Sequence, residues 1–272
     1  MSDFDFQSYI LKRKADSNKT VIYMQNYAYL GDIERRRQLS QLDVVQHLVS
    51  LGLQAWKTFE GRKIQAQAAE LPNDDKRAHL WADVCFNFQH APLPLKLYPP
   101  QKTFLEPFGG IEGTFFTVSP ATAVLPKNVL KFIFGRGIGA LDNDHIPWLT
   151  LSRFANHLTR GLFDKAAQIP ELLLHWRRCA DITEDRAGIL AARDISAAVF
   201  VIMKLELDWD DEEILKEIQR YHHKQDVDWG ELRVEKRVRA LEAFMQSRLY
   251  LKHSGCDIAQ VDRIVSDVYS IF

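Results

Sequence analysis

The chain has 272 residues, 46% of them apolar, and a formal net charge of −1. That length supports one large domain or two small ones with an ample core, and the near-zero charge excludes a bulk field for nucleic acid or anionic lipid. No apolar run reaches the roughly 18–20 residues of a membrane span, and the separated Cys85, Cys179 and Cys256 form neither a zinc ribbon nor a disulfide framework. They read as reduced, partly buried thiols. The acidic start, Met1-Ser2-Asp3-Phe4-Asp5-Phe6, has no apolar signal core, so the expected location is the cytoplasm.

Taken in order, the first ninety residues read as mostly helical. Apolar positions at Leu39, Leu42, Val45, Leu48, Val49, Leu51 and Trp56 predict helix within 32–59. Arg35, Arg36 and Arg37 read as a solvated face of it. Further helices are predicted over 64–71, ending at Pro72, and over 75–89, ending before Pro92. Residues 91–118 change character, with four prolines between 92 and 100 and then Gly109-Gly110. Short strands fit there, at 95–98 and 113–118, so the sheet is small. From Pro126 the pattern is helical almost to the end. Helices are predicted from Pro126 to about 145, then over 148–165, 170–192, 194–205, about 210–223, a span holding Val234, Val238, Leu241, Met245 and Leu249, and 258–272. The fold class is mainly α (α+β). The expected division is an N-terminal helical region, 1–74, packed on a main domain, 75–272.

The central stretch is Phe132-Ile133-Phe134-Gly135-Arg136-Gly137-Ile138-Gly139-Ala140-Leu141-Asp142-Asn143-Asp144-His145. Gly135-x-Gly137-x-x-Ala140 matches a dinucleotide fingerprint, with 130–134 as its strand and a helix N-terminus to hold pyrophosphate. The context opposes this reading. Pro147 would stop the following helix early, and no second strand ending in an acid follows about twenty residues on.

The same stretch resembles the approach to the zinc-binding helix in the HtpX-like family of gluzincin metallopeptidases. The resemblance runs over roughly 75–255, in order. Gly109-Gly110 with Thr114 to Val118 resembles the family's glycine turn and edge strand. Lys131 to Gly135 resembles the lead into the HExxH helix, and Asp142 to His145 its continuation. Trp176-Arg177-Arg178 through Asp185-Arg186-Ala187-Gly188 resembles the helix of the third ligand, and Arg237 to Glu242 with Ser247 to Tyr250 the C-terminal block. It implies a zincin-like helical domain with a small sheet, and an edge strand at Gly113, Thr114, Phe115, Phe116 and Thr117 that holds an extended peptide.

The departures fall on the chemistry. In HExxH two histidines at i and i+4 reach Zn²⁺ from one helix face, and the Glu between them is the general base. Here those positions are Arg136, Gly137 and Ala140, and the third ligand, a Glu in the family, is Asp181. Zinc hydrolysis needs three protein ligands and an activated water. The resemblance therefore implies a pseudopeptidase with no catalytic residue, metal or cofactor, acting through a peptide or protein partner. An enzyme with a rebuilt site is the alternative.

Asp181 and Asp185 lie at i and i+4, on one helix face. Arg136 either joins them by forked hydrogen bonds, linking the two helices that zinc would link, or points to solvent in a widened cleft. Asp142, Asp144 and His145 read either as an acidic ion site or as a polar helix end with a surface histidine. His157, His175, His222 and His223 have no ligand spacing. Gly135, Gly137 and Gly139 each cost about 1 kcal/mol in a helix interior. They imply a weak helix or one packed close against a neighbour.

Overall fold

The computed structural model describes residues 27–42, 61–72, 74–100, 103–108, 114–158 and 169–255. The helix predicted over 258–272 lies outside them, as do Cys256, Gly109-Gly110 and Gly113. Among the described residues the helices are α1 (Leu30–Ser40), α2 (Gly61–Gln67), α3 (Lys76–Asn87), α4 (Lys127–Asp142), α5 (His145–Leu158), α6 (Ile169–Ala192), α7 (Ile195–Glu206), α8 (Asp211–His222), α9 (Leu232–Met245) and α10 (Arg248–His253). Their starts are written locally. Asp75 and Asp194 accept the first free N–H groups of α3 and α7, and Asp210 with Glu213 closes a reciprocal capping box on α8. Pro147 sits in the first turn of α5, where its missing N–H costs nothing.

The sheet is small and mixed. Its strands are β1 (Ala69–Glu70), β2 (Leu95–Leu97), β3 (Leu105–Phe108) and β4 (Phe115–Val118), in the order β1-β2-β4-β3. β2 runs parallel to β4, with Leu95 opposite Phe116, and β3 runs antiparallel to it, with Phe108 opposite Phe115. Two strands escape sequence reading. β1 is too short to show a period, and β3 contains Pro107.

The order also corrects the edge-strand expectation for Gly113 to Thr117. Phe115, Phe116 and Thr117 belong to a strand between two others, and all four residues of β4 are buried. A strand covered on both faces carries no alternation, and its backbone is already paired on both sides. The strand beside the central helix is β3.

Helices α4 and α6 form the spine. A Cβ built on Gly135 would meet the Ala187 carbonyl oxygen at 2.7 Å and Gly188 Cα at 2.9 Å; one on Gly139 would meet Ala187 Cβ at 2.7 Å. The glycines are thus the condition for two backbones to approach, not the mark of a weak helix. Gly137 points the other way, at Leu105 and Phe116 of the sheet. Trp81 of α3 joins the layers, its ring 4.8 Å from Phe116 and 5.4 Å from Phe134. This geometry also overturns the dinucleotide reading. Residues 130–134 are helix, and Gly135 to Ala140 lie inside α4, where backbone N–H groups bond the preceding turn and not a phosphate.

The described residues before Pro72 contact the rest of the fold. Tyr27 is fully buried, α1 lies on α6, and β1 completes the sheet. Among the described residues no helix is long and apolar enough to cross a membrane.

Candidate functional site: an arginine-filled cleft

Three helices and the end of a fourth converge on one charged cluster. Along α6, Asp181, Glu184 and Asp185 recur at i, i+3 and i+4 and face α4. Arg136 enters from α4 with only 8% of its surface exposed. It donates to Asp185, to Asp181 Oδ1 at 3.1 Å and to Glu184 Oε2 at 3.0 Å. The structure therefore decides between the two readings of Arg136: it is a buried bridge and not a solvated side chain.

Three more arginines complete the lattice. Arg177, one turn before Asp181, donates to it at 2.8 Å and to Glu184 Oε1 at 2.8 Å. Arg237 of α9 forks onto Asp185, at 2.8 Å to Oδ2 and 2.7 Å to Oδ1, and reaches Glu206 at 2.5 Å. Arg233 bonds Asp181 and lies 3.0 Å from Glu206. Burial disfavours the charge of each acid, but the surrounding guanidiniums win. Arg177, Arg237 and Arg136 hold Asp181 well below the usual carboxylate range, and Arg177, His145 and Arg136 hold Glu184 at about 2. Burial, then repulsion by Arg237, lowers Arg136 to about 10, so it stays charged at neutral pH.

The cluster forms one wall of a cleft of about 420 Å³. Leu105, Ile133, Val201 and Leu205 line its apolar side. Gly137 and Ala140 also line it and present no side-chain donor atom to its floor.

The residues do not fit a zinc ion. Asp181 and Asp185 have both carboxylate oxygens engaged by guanidiniums, and Arg136 places a fixed cation between them. A dication there would face Arg136 instead of a lone pair. Among the described residues no group of three or more His, Cys, Asp or Glu is arranged to hold a metal.

Asp142, Asp144 and His145 do not form a common site. Asp142 accepts from Tyr27 at 2.7 Å and meets His90 at 2.5 Å. Asp144 is exposed and pairs with Arg36, so one of the three arginines expected to be solvated is partly held. His145 is fully buried, which corrects the surface reading. Its Nε2 lies 2.8 Å from Asp32 and its Nδ1 3.2 Å from Glu184.

The sequence reading gives no site role to Glu184, Arg177, Arg233, Arg237 or Glu206. One signal was present: Arg233 and Arg237 repeat the i, i+4 step of Asp181 and Asp185. A different pair, Ser196 Oγ and His222 Nε2, lies 2.7 Å apart. The Asp194 carboxylate takes the Ser196 and Ala197 N–H groups, where an acyl-transfer site needs donors for an oxyanion.

The chain is 40% identical over 89 residues to the plastoglobule-localized metallopeptidase 48, chloroplastic, of Arabidopsis thaliana. That match takes in 30% of this chain and 25% of the relative, so it spans about a quarter of the relative's length. Over that stretch the chain is metallopeptidase-like. No protein-family model matches it, and no solved structure matches it.

Proposed function

We propose that this chain is a metallopeptidase-like protein that performs no zinc hydrolysis and instead holds a peptide or protein partner, as a binding or scaffolding subunit. The observation that carries this reading is Arg136. Its guanidinium stands at the position of the first zinc ligand in the resembling family and bonds three acids at once. A hydrolytic site needs an open coordination position and a polarised water there. This chain supplies a neutralised cation–carboxylate lattice.

Support for a binding role comes from the cleft, where an apolar side faces a charged wall. Such a groove suits a peptide that buries one apolar side chain while its main chain meets fixed charges. β3 would lie alongside it, in place of the strand expected from sequence.

The test is elemental analysis of purified full-length protein after mild chelation, with a peptidase assay in added zinc. The expected result is no stoichiometric metal and no cleavage, with a retained peptide recoverable from a displayed library. One tightly held zinc per chain, or zinc-dependent cleavage, would overturn the proposal and point to an enzyme with non-standard ligands.

A further inference from the structure

The segment from Tyr27 to Ser40 is fastened chiefly by polar contacts. Its buried apolar anchors are Tyr27 and Leu39, whereas Leu30 and Ile33 are 64% and 40% exposed. Its fastenings are hydrogen bonds. Tyr27 donates to Asp142, the Tyr29 N–H donates to Thr183 Oγ1 at 3.0 Å, and Arg186 donates to the Tyr27 and Ala28 carbonyls, both at 3.2 Å. Arg36 bonds the Asn143 carbonyl. Few buried apolar contacts place a segment at the low-stability end of a fold, so its hold depends on these polar groups.

The central fastening is Asp32, fully buried. It accepts from Trp176 Nε1 at 3.0 Å on Oδ1, and from Thr183 Oγ1 and His145 at 2.8 Å each on Oδ2. His145 thus lies between two carboxylates, Asp32 on one ring nitrogen and Glu184 on the other. Carboxylates accept only, so both nitrogens must donate, and only the imidazolium does that. His90 differs. Among the described residues its ring makes one hydrogen bond, Nε2 to Asp142, which a neutral tautomer also supplies.

We propose that Tyr27–Ser40 is a pH-sensitive strap, pinned by the doubly bonded imidazolium of His145 and released from α6 when His145 loses its proton. Loss of the proton leaves a buried lone pair against a carboxylate, which repels where it had attracted. The groups that face His145 fix the sign. Asp32 of α1 and Glu184 of α6 both favour its charge, and Arg136 and Arg177 lie beyond Glu184 and hold that carboxylate ionised. Asp142 turns to Tyr27 and His90, and Asp144 to Arg36. Burial opposes the charge on His145, yet the two acids raise its pKa above the ordinary value of 6.5. The strap is therefore closed below pH 6.5 and opens as pH rises through the folded pKa of His145. Because Glu184 is shared, the charged wall of the cleft feels the release.

The experiment is amide hydrogen exchange on the full chain at pH 6 and pH 9, corrected for intrinsic rates, with His145→Gln alongside. Protection across α1 should fall about tenfold or more between the two pH values, while α7 and α9 keep theirs. In His145→Gln the protection of α1 should not change with pH. Constant wild-type protection, the same fall in the variant, or loss across all helices together would each overturn the strap. Should His145→Gln fail to fold, the wild-type imidazole titration decides by NMR. A midpoint above 6.5 that coincides with the exchange transition supports the proposal, and any other midpoint refutes it.

Discussion

Arg136 shows how much one side chain decides. It is the cation common to Asp181, Glu184 and Asp185, and it is almost wholly buried. Removing one member of a buried ionic cluster costs about 3–5 kcal/mol, because the partner charges stay behind in a poor solvent. Arg136→Ala should therefore lower the thermal midpoint by about 10 °C in a chain of this size. Scanning calorimetry checks it, and an unchanged midpoint would mean that solvent already neutralises the acids. The bridge from Arg136 to Asp181 and Asp185 was legible because helical spacing puts the two acids on one face. Glu184 was not, since position i+3 on a helix full of charges does not announce which neighbour it meets.

At the scale of elements, the α4–α6 contact turns a cost into a requirement. Gly135 and Gly137 are two residues apart, and their substitution should differ in sign. Gly135→Ala meets backbone on α6, so overpacking of about 1–3 kcal/mol outweighs a gain in helix propensity of about 1 kcal/mol. Gly137→Ala meets the end of the flexible Leu105 side chain, which moves at little cost, so its stability should stay level or rise by up to about 1 kcal/mol. Urea unfolding midpoints separate the two; equal shifts would deny the close approach. The helices were readable in outline because caps and 3.6-residue spacing are local. The strands were half readable. β2 and β4 showed themselves by extended, apolar composition, but β1 and β3 are strands only because β2 and β4 pair with them.

Across the molecule, the arginine–carboxylate cluster and the His145 pair are intact only over a bounded pH range. On the acid side, Asp181 and Glu184 are held below their unfolded values, so their contribution is present above the unfolded pKa, 4.5 for the Glu, and is lost as pH falls towards about 2. On the alkaline side, His145 is held above its unfolded value, so its contribution is full below 6.5 and is lost as pH rises through the folded pKa. Stability should be highest between about pH 5 and 6.5, fall steeply between about pH 4.5 and 2, and decline as pH rises through the folded pKa of His145. Calorimetry across that range checks this, and Glu184→Gln should take up about one proton fewer on acid unfolding. An acid limb unchanged in the variant would show that the loss comes from other carboxylates.

The sequence by itself determined the mainly helical class, the helix order, and the absence of a histidine pair at 136 and 140. Those are matters of residue identity and local spacing, which no packing can alter. Only the tertiary structure decided that four arginines gather on the acids of α6, that β4 lies inside the sheet, and that His145 is buried and not a surface group. Each of these depends on which distant elements touch. Arg136, Arg237 and Asp185 lie far apart in the chain and become one cluster only where α4, α6 and α9 meet.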